Sequence, residues 1–370
     1  MKIPWASAAA QARVHEILAA DGDARERADA AIRAHTERME GGIVLYAGTN
    51  AGGLGARPSL GDPGEKLQPG LEHLDVLEVL TTNAVAETMR APHADIRVQS
   101  ATLANLAVYA GLTDVGATIA ALPPHGGGHF SHHEAGAAGI RGHRVVHLPY
   151  ADYDVDLEAL PEFLDREQPA LIVLGGALML FPHRLAEIAA HGVPILYDAS
   201  HMAGLIAGGR FQDPLSEGAA VMTFSTYKSY GGPPGGAIVT RDPDVAARVF
   251  RAVYPGLTAN YDAGRLRGLL EAATYLLDHG AEYADRCIAT AQALARALHD
   301  AGLPVAAADR GFTQSHHVAV LTGDVARLEQ AGIYASTSGP YLRLGTQELV
   351  TRGLGPEDMR DVAEAISRSA

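Results

Sequence analysis

The chain has 370 residues, 47% of them hydrophobic and 19% charged, with a formal net charge of −14; that length suits one large core with a smaller second domain. The acidity argues against a nucleic-acid or anionic-membrane partner, since either would repel it, and no apolar run reaches the roughly 18 residues of a membrane span. A single cysteine, Cys287, leaves no internal disulfide framework and no cysteine-based metal site. The acidic N-terminal stretch lacks the apolar core of a secretory signal, so a cytoplasmic location is expected.

Residues 6–40 set Ala10, Val14, Ile17 and Leu18 at helical spacing, which predicts an N-terminal helical arm. The stretch 41–70 is rich in glycine and proline and reads as a long functional or interfacial loop. Leu74, Leu77 and Leu80 then restore helical periodicity. From 94 to 240 apolar runs alternate with helical patterns. Strands are expected at 96–98, 117–122, 145–148, 170–174, 194–197, 220–224 and 237–239, with helices at 103–112, 157–164 and 185–191 between them. Strands without polar alternation, separated by helices, predict an α/β fold with a largely parallel sheet covered on both faces. Helices follow at 245–253, 266–278 and 284–301, then a mixed α+β segment. The expected division is an arm (1–40), a large domain (41–255), a connecting helical region (256–290) and a small domain (291–370).

In such sheets ligands bind at the carboxyl ends of strands, so the residues just after each strand carry the chemistry. After 96–98 come Ser100, Ala101 and Thr102 and then a helix. Ser100 suits an N-cap, and the free N–H groups of a helix start suit a phosphate. After 117–122 comes His125-Gly126-Gly127-Gly128-His129-Phe130-Ser131-His132-His133. This string admits an esterase oxyanion loop, a metal pair at His125 and His129, an imidazole laid on an aromatic cofactor, or a solvated loop. The esterase reading lacks a Gly-x-Ser-x-Gly nucleophile, and three glycines disfavour the helix that a metal pair needs.

After 194–197 come Asp198 and, three residues on, His201; a carboxylate at a buried strand end needs a partner. The next strand leads through Ser225, Thr226 and Tyr227 to Lys228, and the chain returns past four glycines. Lysine occurs only at positions 2, 66 and 228, against 26 arginines. A lysine kept between two buried strands of such a chain points to amine chemistry, which guanidinium lacks. Near the C-terminus Arg343 sits between leucines, either paired structurally or receiving a carboxylate by its planar fork. One small molecule uses all of these groups. Pyridoxal phosphate needs an amine for its aldehyde, an acid for its pyridine nitrogen and a helix start for its phosphate, while an amino-acid substrate brings a carboxylate. Lys228, Asp198, residues 100–102, His129 and Arg343 supply these in turn, with no metal required.

The same residues resemble the serine hydroxymethyltransferase family, in the fold-type I (aspartate aminotransferase-like) group of pyridoxal-phosphate enzymes, whose mainly parallel seven-stranded sheet carries a small C-terminal α+β domain. The resemblance runs from about residue 92 to the C-terminus. It implies that Asp198 and His201 in YDASHMAGLIA contact the pyridine nitrogen and the O3′ side, and that Lys228 in STYKSYGGPPGG is the Schiff-base lysine. It further implies that His129 in GGHFSH stacks on the ring, and that Ser100 in QSATLAN, with Ala101, Thr102 and Thr226, holds the cofactor. Arg343 in LRLGTQELVTRG would receive the substrate carboxylate. Residues 254–260, YPGLTAN with Thr258, resemble the loop that reaches the neighbouring subunit's cofactor phosphate, which implies a homodimer with shared active sites. Departures are also present. Ala101, Ala259 and Asn260 stand where the family has glycine, and Leu178 where it has serine. Leu60 stands where the family's proton-shuttling glutamate would be, and the tyrosines of that folate-contacting loop are absent.

The expected activity is thus a pyridoxal-phosphate enzyme acting at the Cα–Cβ bond of a β-hydroxy-α-amino acid, by hydroxymethyl transfer or aldol cleavage, with tetrahydrofolate left open. Lys228, His129 and Asp198 are the expected catalytic residues; His129, Asp62 and Glu65 are candidates by type for the base on the β-hydroxyl. β-Elimination or decarboxylation on the same scaffold is one alternative. A regulatory protein that binds the cofactor without turnover is the other.

Overall fold

The computed structural model describes residues 37, 41–48, 72–259, 261–321 and 323–369. The expected N-terminal arm and the glycine-rich loop, with Leu60, Asp62 and Glu65, lie outside the described residues apart from 37 and 41–48; Asn260 lies outside them too. Two units are distinguished, Met1–Ile43 and Val44–Ala370. In the first, the Gly41 N–H closes on the Glu37 carbonyl at 3.1 Å.

The second unit holds a seven-stranded sheet: β1 (His93–Asp95), β2 (Thr118–Ala121), β3 (Arg144–His147), β4 (Leu171–Gly175), β5 (Ile195–Asp198), β6 (Val221–Ser225) and β7 (Gly236–Thr240). Their order is β1-β7-β6-β5-β4-β2-β3, all parallel except β7, which runs against both β1 and β6. The continuous apolar runs are explained by two cores. On β4, Leu171 and Val173 face one and Ile172 and Leu174 the other. Each such buried aliphatic contributes about 1.5–3 kcal/mol. Helix α1 (Glu72–Thr88) sends Ala84 and Val85 into the second core, and α2 (Ala101–Leu112) sends Ala104, Ala107 and Val108 into the first. Among the described residues no helix is long and apolar enough to cross a membrane.

Two expectations are corrected. Ile96 and Val98 are buried, but 96–98 is not a ladder strand. The ladder occupies His93–Asp95; beyond it the carbonyls of Ile96 and Val98 accept from the Arg265 guanidinium, and that of Val98 also from the Gly236 N–H at 3.0 Å. In place of helices at 266–278 and 284–301, one helix, α3 (Leu266–Asp300), runs for 35 residues. Gly280, between the two expected segments, lies inside it. A Cβ on Gly280 would stand 3.3 Å from the Gly208 Cα, and a Cβ on Gly208 2.2 Å from the Gly280 carbonyl oxygen. The two glycines serve close packing of the helix on the short helix Ala203–Ala207, not chain reversal. The expected domain edge at 290/291 falls within α3.

A three-stranded antiparallel sheet follows, with β10 (Tyr341–Gly345) between β8 (His317–Val320) and β9 (Ser336–Ser338). Leu45 joins it, donating to the Tyr334 carbonyl at 2.9 Å and accepting from the Gly345 N–H at 2.8 Å. Two bonds tie this sheet to the loop after β4: Arg343 donates to the Ala177 carbonyl, and the Met179 N–H donates to His317 Nδ1 at 3.2 Å. Arg343 and His317 are thereby carried to the carboxyl edge of the large sheet.

Candidate active site

Lys228 stands in a knotted turn between β6 and β7. The Thr226 N–H donates to the Gly235 carbonyl at 3.1 Å, the Gly232 N–H to the Thr226 carbonyl at 2.7 Å and the Gly231 N–H to the Lys228 carbonyl at 2.9 Å. Ser229 fixes the turn from below: its hydroxyl donates to the His201 carbonyl and accepts from the Gly204 N–H at 3.1 Å. The Lys228 amine is left 3.1 Å from His201 Nε2. Burial pushes its pKa down to about 8, opposed by the charge of Asp198 and assisted by that of Arg343. An amine so tuned is partly unprotonated near neutral pH, which a carbonyl-condensing group requires.

Asp198 ends β5 with 4% of its surface exposed. Burial alone would raise its pKa. The hydrogen bond and charge of His132 and the bonds from Ser200 and Asn105 outweigh burial and hold the carboxyl well below the usual carboxylate range. His132 Nε2 lies 2.9 Å and Asn105 Nδ2 2.8 Å from Oδ2, and the Ser200 N–H reaches Oδ1 at 3.0 Å. Thr223 on β6 orients Asn105 by donating to its Oδ1 at 2.6 Å. The result is a carboxylate held ionised at neutral pH in the interior, the form that keeps a proton on a neighbouring ring nitrogen.

Ser100 is the N-cap of α2, its hydroxyl accepting from the Leu103 N–H at 3.2 Å, so the first turn points free N–H groups outward. Gly236 opens β7 against that turn: a Cβ there would stand 2.5 Å from the Ser100 carbonyl carbon. His129 is half-buried. Ser131 donates its N–H to His129 Nδ1 at 3.2 Å, with its hydroxyl at 2.7 Å. The neutral ring then carries its proton on Nε2, and burial, followed by the charge of His132, lowers its pKa to about 4. In that arrangement His129 offers a proton; it does not accept one.

These groups wall one cavity of about 190 Å³, lined by Ser100, Ala101, Thr102, His129, Asp198 and His201 together with Lys228 and Tyr227. Its donor set fits pyridoxal phosphate: a deprotonable amine, an ionised carboxylate at a buried strand end and a capped helix start, across a space the size of one small aromatic molecule. Thr226, Thr258 and Arg343 do not line it. The Thr226 hydroxyl is spent on the Pro233 carbonyl at 2.6 Å. Arg343 is only 6% exposed and donates to Ala177 and to Ser336 Oγ at 3.0 Å, yet among the described residues no carboxylate pairs with it. A buried cation without a counter-charge is costly unless a ligand supplies one.

Sequence reasoning passed over Asn105, His132 and Ser200. Asn105 had a signal: a lone amide in the apolar helix ATLANLAVYAGL is costly to bury without a partner. His132 was in view as part of the histidine string, but nothing in one chain marks which of four imidazoles reaches Asp198.

A family model described as serine hydroxymethyltransferase matches residues 44–366. The chain is 42% identical to an alpha-methylserine aldolase of Variovorax paradoxus, over 99% of its own length and 92% of that protein's. It is 38% identical to the serine hydroxymethyltransferase of Methanopyrus kandleri, over 85% and 79%. Among solved structures, the L-threonine transaldolase of Pseudomonas fluorescens in its internal aldimine state matches with a TM-score of 0.82 at 25% identity, over 98% of this chain and 89% of that one. With the seven-stranded sheet and a cavity suited to the cofactor, the chain belongs to the serine hydroxymethyltransferase family of fold-type I pyridoxal-phosphate enzymes.

Proposed function

We propose that the protein is a pyridoxal-phosphate aldolase that cleaves the Cα–Cβ bond of a β-hydroxy-α-amino acid, with α-methylserine as its foremost substrate and without folate. The observation that carries the reading is the pairing of Lys228 and Asp198 across one cavity, with Arg343 near enough to depress the lysine. Relatives named alpha-methylserine aldolase, at 42% and 43% identity, support the substrate. Leu60 in place of the family's glutamate supports independence from folate.

When bound, pyridoxal phosphate supplies a carbonyl that condenses with amines and a sink for the electron pair of the broken bond. Lys228 provides the amine that holds it and yields to the substrate's amino group. Asp198, ionised at neutral pH, keeps the ring nitrogen protonated. The start of α2 would hold the phosphate with its free N–H groups, and His129, which lines the same cavity, would pack against the ring. Arg343 takes the carboxylate and so turns the Cα–Cβ bond into its cleavable orientation. The β-hydroxyl gives up its proton, Cβ departs as an aldehyde and Cα regains a proton; α-methylserine yields formaldehyde and alanine.

The same reading takes the protein to be a cytoplasmic homodimer with shared sites. The half-exposed Tyr254 and the segment 254–260, with Thr258 outside the cavity of its own chain, support it. Incubation with serine, threonine and α-methylserine, each with and without tetrahydrofolate, tests the reaction class. Aldehyde with glycine or alanine is the expected outcome. Pyruvate or carbon dioxide would place the enzyme among eliminases or decarboxylases instead.

A further inference from the structure

Three imidazoles form a group that the mechanism above does not use as a set. Among the described residues, His201, His316 and His317 are all buried and bring one ring nitrogen each within 4.8 Å of the others. His201 Nδ1, both nitrogens of His316 and His317 Nε2 have no hydrogen-bond partner among the described residues, a costly state for buried polar atoms. A transition-metal ion would fit the composition, but two details oppose it. The Met179 N–H donates to His317 Nδ1, so the neutral ring carries its proton on Nε2, and a protonated nitrogen does not ligate. Lys228 and Arg343 also impose positive charge on His201 and His317, which repels a cation.

We propose that His317 is a positioning residue whose Nε2–H is directed to His201 Nδ1, fixing His201 in the tautomer that presents an Nε2–H to Lys228 and to the cofactor that Lys228 holds. The ring centres of His201 and His317 are 5.1 Å apart at 62°; no hydrogen bond joins His317 Nε2 to His201 Nδ1 in this structure, and both atoms lack another partner among the described residues, so a small rotation of one ring is all that a contact of roughly 3 Å requires. With that proposed link closed, a chain of defined polarity runs from Met179 N–H to His317, from His317 to His201, and from His201 Nε2 to the Lys228 amine at 3.1 Å; its two outer contacts are present in the structure. Its origin is a backbone amide, which cannot reverse its donor role. His316, with its ring centre 4.3 Å from that of His317, closes the far side.

The polarity has a consequence for the lysine. An Nε2–H on His201 is accepted by a neutral amine and opposed by an ammonium, so the relay favours the unprotonated Lys228. The charged and titratable groups facing Lys228 and His201 are Asp198 on β5, Arg343 on β10, His317 on β8 with His316 just before it, and His129 in the loop after β2. Only the relay distinguishes tautomers; the others act through charge.

The inference rests on Lys228 as the cofactor's anchor. Long-range 15N–1H spectra of the cofactor-loaded protein test it at the histidines themselves. Wild type should show His317 and His201 both protonated at Nε2 and bare at Nδ1; either ring in the opposite tautomer overturns the proposal without any variant. His317→Leu should give His201 a mixed tautomer and move the pH midpoint of the visible cofactor band by at least half a unit, and His317→Gln, which keeps an N–H donor, should restore both. Unchanged spectra and midpoint in a folded His317→Leu protein would overturn it, as would stoichiometric zinc binding that this variant loses. A wild-type protein with no visible band would instead remove the cofactor reading, so the two failures are distinguishable.

Discussion

Asp198 Oδ2 accepts from His132 Nε2 at 2.9 Å, with both side chains buried. That one contact, aided by Asn105 and Ser200, keeps a carboxylate ionised in the interior of the protein. Removing His132 takes one hydrogen bond from a buried carboxylate that keeps those of Asn105 and Ser200, which costs about 1.5–3 kcal/mol for a bond to a charged group. His132→Leu should therefore lower the melting temperature and weaken cofactor retention together. The sign with pH follows from the depressed carboxyl. Its stabilisation is complete above about pH 4, the unfolded value, and is lost as the pH falls towards the folded one. Acid unfolding curves of wild type and variant should converge at low pH.

Lys228 gives the opposite sign. Its folded pKa, about 8, lies below the ordinary lysine value, so burying the ammonium costs stability below pH 8. That cost fades as the pH rises from 8 towards about 10.4. In cofactor-free protein Lys228→Met should be more stable than wild type at pH 7, with the gap narrowing by pH 10 in urea titrations. Cofactor capture by wild type should quicken by roughly tenfold from pH 7 to 9 as the amine deprotonates.

Arg343 is a buried cation held by neutral acceptors. Arg343→Lys loses the planar fork and should raise KM for the amino acid by about 10- to 100-fold. Stability should fall as well, by about 1–3 kcal/mol, because the more strongly hydrated ammonium is harder to bury and cannot remake both hydrogen bonds. Steady-state kinetics and a thermal melt check the two halves.

Gly236→Ala tests the phosphate end without altering a polar side chain. Its Cβ would meet the Ser100 carbonyl carbon at 2.5 Å and push the start of α2 aside. Overpacking of this kind costs about 1–3 kcal/mol. Equilibrium dialysis should show cofactor affinity reduced by about tenfold or more.

The strand ends were legible because apolar runs fix where strands stop, and because a chain poor in lysine makes Lys228 conspicuous. Ser100, Asp198, His129 and Lys228 line one cavity on those grounds. What stayed hidden was set by packing. The single helix α3 across Gly280 depends on Gly208 approaching from another helix. The bonds of Asn105 and His132 to Asp198 span 93 and 66 residues, and no local pattern encodes such pairings. The carbonyls of Ile96 and Val98 likewise accept from Arg265, far along the chain, a pairing that no local pattern encodes.

The most direct measurement is product stoichiometry from α-methylserine with cofactor-loaded protein in folate-free buffer. Formaldehyde and alanine should appear in equal amounts, and Lys228→Ala should abolish both. Absence of either product, or cleavage only when tetrahydrofolate is added, would contradict a folate-independent aldolase.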